Sequence, residues 1–167
     1  MGDVEMVPLP EDFDAFWHRE RVSVTAFAYA LTGSRTTAED LAQEAFAAAA
    51  TAWSTLQNPS AWVRRVVSNR AISRWRRQGR ESRALSKLAL QRDSYSLADD
   101  DLSFWDAVRR LPRRQAQVVA LHYLDDLPVS EIAATLGVAE GTVKATLFRG
   151  RAALARVLGY DDEGLAP

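Results

Sequence analysis

The sequence predicts an all-α protein: two small helical domains joined by a flexible linker, the C-terminal one a helix-turn-helix domain. Three observations carry this. Apolar residues recur three and four positions apart through most of the chain, the repeat of a helix that buries one face. The breaks between these stretches fall at Thr32-Gly33-Ser34, Asn58-Pro59-Ser60, Pro112 and Pro128, residue types that end or restart helices. No stretch alternates apolar and polar residues between turn signals as a half-buried strand does, and no internal repeat stands out.

Residues 1–11 read as a disordered leader. A helix begins near Glu11, with Phe13, Phe16, Trp17, Val24, Phe27, Ala28 and Leu31 along one side and Asp12 or Asp14 able to cap it. After the Gly33 break, Thr37 and Asp40 approximate a capping box. They open an Ala-rich helix from Ala38 to about Leu56, of high intrinsic propensity, with Leu41, Ala45, Ala49, Ala52 and Trp53 as its inner stripe. The next helix runs from Ala61 to about Gln78. Trp62, Val66, Ala71 or Asn69, Ile72 and Trp75 can lie inward there, and Arg64, Arg65, Arg70, Arg74, Arg76 and Arg77 spread over the rest. Gly79 ends it, and residues 79–100 read as the linker. The Asp99-Asp100-Asp101 run has no His or Glu at ligand spacing, so it reads as a solvated helix start favoured by the macrodipole rather than a metal site. Phe104, Trp105, Val108 and Leu111 then share one face, and Ala116, Val119, Ala120 and Tyr123 another beyond Pro112. The tail, 159–167, is short and acidic.

Residues 129–151 carry the sharpest pattern. Ser130 is placed as an N-cap, and Ile132, Ala133 and Leu136 follow at helical spacing. Gly137 can end that helix in the left-handed conformation, and Val138 anchors the turn. A second helix from about Ala139 buries Val143 and Leu147 and turns Lys144 and Ala145 outward, with Phe148, Arg149 and Arg151 further on. This is a helix-turn-helix, whose second helix enters the major groove.

Composition sets the class. Of 167 residues, 47% are hydrophobic and 26% charged, a soluble globular mixture. No apolar run reaches the roughly 20 residues of a membrane span, and the acidic start is not a signal peptide. The chain has no cysteine, so disulfides and thiolate metal sites are excluded, and a cytoplasmic setting is expected. The net charge of −1 hides a segregation: residues 1–60 hold nine acids and three bases, residues 61–92 one acid and ten bases. A local net of +9 is a candidate phosphate-binding surface.

Taken together these segments resemble bacterial RNA polymerase sigma factors of the extracytoplasmic-function (ECF) type. Residues 38–53 (AEDLAQEAFAAAATAW) resemble the family's polymerase-binding helix, with Asp40, Leu41, Gln43, Glu44 and Phe46 on its typical core. Residues 61–77 resemble the helix that melts and reads the minus-ten promoter element. Residues 111–154 resemble the domain that reads the minus-thirty-five element. The resemblance divides the chain into a docking and minus-ten domain (12–78), the linker and a minus-thirty-five domain (101–158).

The resemblance implies partners and roles. Core RNA polymerase would be met at the clamp helices of its largest subunit by Asp40, Leu41, Gln43, Glu44 and Phe46, and at the flap of its second-largest subunit. Leu41 and Phe46 can be apolar anchors or core. Promoter DNA would be held at the minus-ten element by Arg64, Arg65, Asn69, Arg70, Arg74, Trp75, Arg76 and Arg77. Trp62 is assigned to the core and Trp75 left between core and base stacking. The loop before this helix, Leu56 to Ser60, is short for the family, so minus-ten recognition should differ in detail. At the minus-thirty-five element the contacts would be Glu140, Gly141, Thr142, Lys144, Ala145, Phe148, Arg149 and Arg151. Many relatives carry Ser-Arg where this chain has Ala145-Thr146, which removes two polar contacts and shifts the preferred sequence. Such factors are often held by an anti-sigma factor. The resemblance implies no cofactor, no metal, no membrane and no catalysis.

Two other functional classes fit the sequence less well. A stand-alone helix-turn-helix regulator would need a phosphoacceptor or ligand domain in front, and residues 1–100 show neither. A nucleic-acid enzyme would need a catalytic set, and the chain offers only His18 and His122, with no paired carboxylates in a metal-ligand context.

Overall fold

The computed structural model describes the backbone of residues 12–81 and 99–159, and the side chains of 12–74 and 104–159. The expected leader, most of the expected linker (82–98) and the tail beyond Gly159 lie outside the described residues. Within them the chain forms α1 (Phe13–Thr32), α2 (Arg35–Ala52), α3 (Pro59–Glu81), α4 (Asp99–Arg110), α5 (Arg113–Tyr123), α6 (Val129–Leu136) and α7 (Glu140–Leu158), with a 3-10 turn at Trp53–Thr55.

The helix starts are set by local hydrogen bonding. Asp12 caps α1, its Oδ1 accepting from the Ala15 N–H at 2.8 Å. Two expected caps move. Ser34, not Thr37, caps α2, and its Oγ accepts from the Thr37 N–H at 3.3 Å, so Thr37 lies inside the first turn. Pro128, not Ser130, precedes α6: its carbonyl accepts from the N–H groups of Glu131 and Ile132 at 3.0 Å each, and its fixed φ suits a helix entry. Gly79 does not stop α3, which continues to Glu81; glycine inside a helix costs about 1 kcal/mol, which a long helix absorbs.

Helices α1, α2 and α3 pack together around Phe16, Phe27, Leu41, Phe46, Val63 and Val67, all buried. An aromatic cluster closes one end: Phe16 lies 5.9 Å from Phe46 and 5.0 Å from Trp53, and Phe13 meets Trp53 edge-on at 5.4 Å. Helices α4 to α7 enclose Val108, Val118, Leu121, Ile132, Val143 and Leu154. Two glycines set the geometry here. Gly137 ends α6 at φ +67, a conformation that costs a non-glycine residue about 1 kcal/mol or more. At Gly150 a Cβ would lie 3.0 Å from Val119 Cγ2, so its absence lets α7 approach α5 closely.

The two halves do not stand apart. Helix α1 packs on α4 and α5, α3 packs on α6, and the buried apolar cluster is continuous across them. Among the described residues, no helix is long and apolar enough to cross a membrane, and no three His, Asp or Glu converge as a metal site.

Candidate nucleic-acid and partner interfaces

The first turns of α7 present one outward face. Val143 and Leu147 are buried, which fixes the rotation of the helix. Glu140, Gly141, Thr142, Lys144, Ala145, Phe148 and Arg149 are consequently all exposed, and Phe148 shows 75% of its surface. Ala139, in the capping position, offers no side-chain acceptor to the first N–H groups, so these remain open to an anion. Arg151 departs from the expected set. It turns back to α5, where its Nε donates to the Tyr123 hydroxyl at 2.7 Å and its Nη2 lies 3.2 Å from His122 Nε2. Of the two expected departures from the family pattern, Ala145 lies on this outward face and Thr146 is buried.

Helix α3 is less uniformly a nucleic-acid surface than its charge suggests. Its buried stripe is Val63, Val67 and Ala71, with Trp62, Val66 and Ile72 half-buried beside it. Arg65 and Asn69 are exposed. Arg70 Nη1 donates to Glu44 Oε2 at 2.6 Å, and Arg74 Nη2 to Glu44 Oε1 at 2.8 Å. Arg74 also lies 3.7 Å from Asp40. Trp75, Arg76 and Arg77 sit in the later turns of α3, and their side chains lie outside the described residues.

The α2 set divides in two. Asp40, Gln43 and Glu44 are exposed. Leu41 and Phe46 are not surface anchors: they are 0% and 4% exposed, because the inner stripe of α2 faces α1 and α3. Any docking through α2 is therefore polar at these positions.

Arg64, expected among the minus-ten contacts, does not join the exposed face of α3. It is 8% exposed and unavailable to phosphate, because all five of its N–H donors are engaged. Nε and Nη2 form a fork on Asp125 at 2.8 and 3.2 Å; Nη1 donates to Glu20 Oε2 at 2.9 Å and to the Ser60 carbonyl at 3.3 Å; Nη2 also donates to Ser23 Oγ at 3.1 Å. Asp125 belongs to the α5–α6 turn, so this guanidinium ties the first half of the chain to the second. Burial pulls the Arg64 pKa down, but the carboxylates of Asp125 and Glu20 outweigh it and hold the group above its ordinary value. Burial likewise pushes Glu20 up, and the bonds from Arg64, Ser60 and Arg19 overcome this and hold it below the usual carboxylate value. Glu20 and Asp125 carry no local sequence signal; only an acid opposite a buried arginine marks them, and the arginine's burial is itself a tertiary fact.

More of this contact is polar. Arg109 Nη1 donates to the Ala30 carbonyl at 3.4 Å, and its guanidinium lies 5.9 Å from the centre of the Tyr29 ring. Ser68 and Gln117 face a small cavity shared by α1, α3 and α5, and their Oγ and Nε2 are buried without a hydrogen-bond partner.

Comparison with known proteins identifies the two halves. Residues 16–81 match the model of sigma-70 region 2 and residues 101–154 that of sigma-70 region 4. The chain is similar to the ECF RNA polymerase sigma factor SigM of Mycobacterium tuberculosis, 34% identical over 107 residues, 64% of this chain and 55% of that one. It thus spans little more than half the length of that relative. It is 33% identical over 130 residues to the RNA polymerase sigma-E factor of Streptomyces antibioticus, covering 75% of this chain and 72% of the other. A solved structure of the sigma factor RpoE in complex with the anti-sigma factor NepR, from Bartonella quintana, superposes with a TM-score of 0.75 at 25% identity, over 90% of this chain and 98% of that one.

Proposed function

Because the chain belongs to the sigma-70 family and, within it, to the ECF sigma factors, we propose that it binds core RNA polymerase, directs it to specific promoters and helps open the minus-ten region. The observation that carries this reading is the pairing, in family order, of an arginine-bearing helix with a helix-turn-helix whose reading face is wholly exposed.

Each role rests on chemistry that suits it. The N-terminal end of α7 suits phosphate, and Lys144 and Arg149 reach base edges or phosphates of the minus-thirty-five duplex. Phe148 suits the methyl group of a thymine. On α3, Asn69 suits a base edge of the opened minus-ten strand, and Arg65, Arg70 and Arg74, with Arg76 and Arg77, suit its backbone. Asp40, Gln43 and Glu44 form a polar docking face for the clamp helices of the largest polymerase subunit, and the second half meets the flap of the second-largest subunit. The protein acts by binding, in the cytoplasm, where polymerase and chromosome are. An anti-sigma factor, the kind of partner with which the Bartonella relative was crystallised, is the regulator this reading expects.

The test is run-off transcription with core polymerase alone and with the chain added, followed by mapping of start sites. Promoter-specific transcripts that need both components are expected. Tight, specific binding of duplex DNA without polymerase, and no transcript with it, would assign the chain instead to stand-alone helix-turn-helix regulators.

A further inference from the structure

Resting on the sigma-factor reading above, we propose that His122, Tyr123 and Arg151 form a proton-gated clamp for one phosphate of the DNA backbone, beside the outward face of α7. Three observations meet here. The first is placement. Arg151 lies seven residues after Lys144 and eleven after Glu140, within about 20° of both around the helix. It therefore continues the stripe on which Glu140 and Lys144 are exposed, about 10 Å further along the axis than Lys144. His122 and Tyr123 stand at the end of α5. All three side chains reach the surface: Tyr123 is 40% exposed, and His122 and Arg151 are half-buried.

The second is the state that the hydrogen bonds impose on His122. Its Nδ1 lies 3.2 Å from the Leu127 carbonyl, which only accepts, so Nδ1 carries the proton. Its Nε2 lies 3.2 Å from Arg151 Nη2, which only donates, so Nε2 offers its lone pair. The contact thus requires a neutral ring. A protonated ring has an N–H at both nitrogens, which sets donor against donor and charge against charge. Arginine keeps its proton, so a second proton on His122 breaks this bond. Histidine is the side chain that changes charge between about pH 5 and 8.

The third is the charge around the cluster. From α7 it is faced by Arg151. From α5 comes Tyr123, whose hydroxyl accepts from Arg151 Nε at 2.7 Å and whose ring centre lies 5.6 Å from the guanidinium. Helix α4 presents the ring of Phe104, 6.0 Å from that of Tyr123. The α5–α6 turn carries Asp125, which is taken by Arg64, and Asp126, which is exposed. Among the described residues neither His122 nor Arg151 has a carboxylate partner. Protonation therefore leaves two cationic donors side by side with no acid between them. A phosphate oxygen is an acceptor that satisfies both, taking His122 Nε2–H and a guanidinium N–H, with the Tyr123 hydroxyl as a further donor. The backbone of a duplex lying on α7 supplies such a phosphate. DNA should accordingly bind more tightly as the pH falls.

The test uses the full chain carrying His18→Gln, which leaves His122 as its one histidine, since the sequence has two. Ring-nitrogen NMR at about pH 8 should show His122 neutral with its proton on Nδ1. Lowering the pH should change the Arg151 Nε–H signal in step with the ring. Fluorescence anisotropy of a labelled duplex of random sequence then reads the clamp. Between about pH 8 and about pH 5.5 the slope of log affinity against log salt should steepen by about 0.9, the share of one added phosphate contact. Adding His122→Gln, which keeps an acceptor for Arg151 but gains no proton, should remove that change and leave the circular dichroism unaltered. Inorganic phosphate without DNA separates the sources of the anion: an Arg151 signal that answers the duplex and not the free ion assigns the backbone, and an equal answer to both overturns that assignment. A ring protonated on Nε2 at high pH, an Arg151 signal indifferent to the ring, or equal slope changes with and without His122→Gln would overturn the clamp. The NMR needs neither polymerase nor promoter, so failed coupling with working run-off transcription removes the clamp alone, and the reverse removes the sigma-factor reading alone.

Discussion

Replacing Glu44 by Gln tests whether the exposed acids of α2 mask the arginines of α3. Glu44 bridges Arg70 and Arg74 through its two oxygens at 2.6 and 2.8 Å. Its side chain is 44% exposed and those of the arginines 41% and 33%, so each pair stabilises the fold by only about 0–1 kcal/mol. The substitution should therefore lower stability by no more than about 1–2 kcal/mol while leaving two guanidinium groups without their main acid. On single-stranded nucleic acid each phosphate contact adds about −0.7 to the slope of log affinity against log salt. Two newly available arginines should thus steepen the slope by up to about 1.4, and Asp40, 3.7 Å from Arg74, holds the single variant below that limit. Adding Asp40→Asn should bring it to the full value. The measurement is fluorescence anisotropy of a labelled single-stranded oligonucleotide between about 50 and 300 mM salt. Glu39→Gln is the control for net charge, since Glu39 pairs with Arg35 along α2 and not with α3. If Glu44→Gln and Glu39→Gln gave the same slope, the acids of α2 would not be masking α3.

Phe46→Ala should cost about 3–5 kcal/mol in urea unfolding, since it empties part of the aromatic cluster with Phe16. Gln43→Ala, on the exposed face, should change stability by less than about 0.5 kcal/mol yet weaken polymerase binding, and an unaltered affinity in a pull-down with core enzyme would remove α2 from the docking surface. Phe148→Ala should leave the melting curve unchanged, as the ring is 75% exposed, and lower transcription from minus-thirty-five-dependent promoters by about tenfold, within the 1–3 kcal/mol of a good base contact. Glu20 should give the fold an acid-side pH dependence. Its pKa is lower folded than unfolded, so its contribution is complete above the ordinary carboxylate value and is lost as the pH falls through the folded one. Urea midpoints of the parent should accordingly fall more steeply than those of Glu20→Gln below about pH 4.5; parallel curves would count against the ion pair.

The sequence was legible where one helix decides its own geometry. Periodicity placed Phe16, Val24, Phe27, Leu31, Val143 and Leu147 inside, and all six are buried; a glycine after Leu136 marked the α6 end, and it is left-handed there. It was less legible where neighbours decide. A Pro-preceded helix start competes with a Ser cap, and a glycine at position 79 is outweighed by the helix around it. Arginine on the polar side of an amphipathic helix reads as solvent-facing, and for Arg65 that holds. Arg64, one residue away, falls on the flank that α5 and α6 cover, and its partner stands 61 positions later. The same blindness applies to charge. Residues 61–92 carry a net +9, but Arg64 is matched by Glu20 and Asp125, and Arg70 and Arg74 by Glu44 and Asp40. The positive field at the first part of α3 is therefore weaker than the composition states. Engaging those acids elsewhere should raise it, so nucleic-acid affinity is expected to follow the acids that face α3 rather than the net charge of the chain.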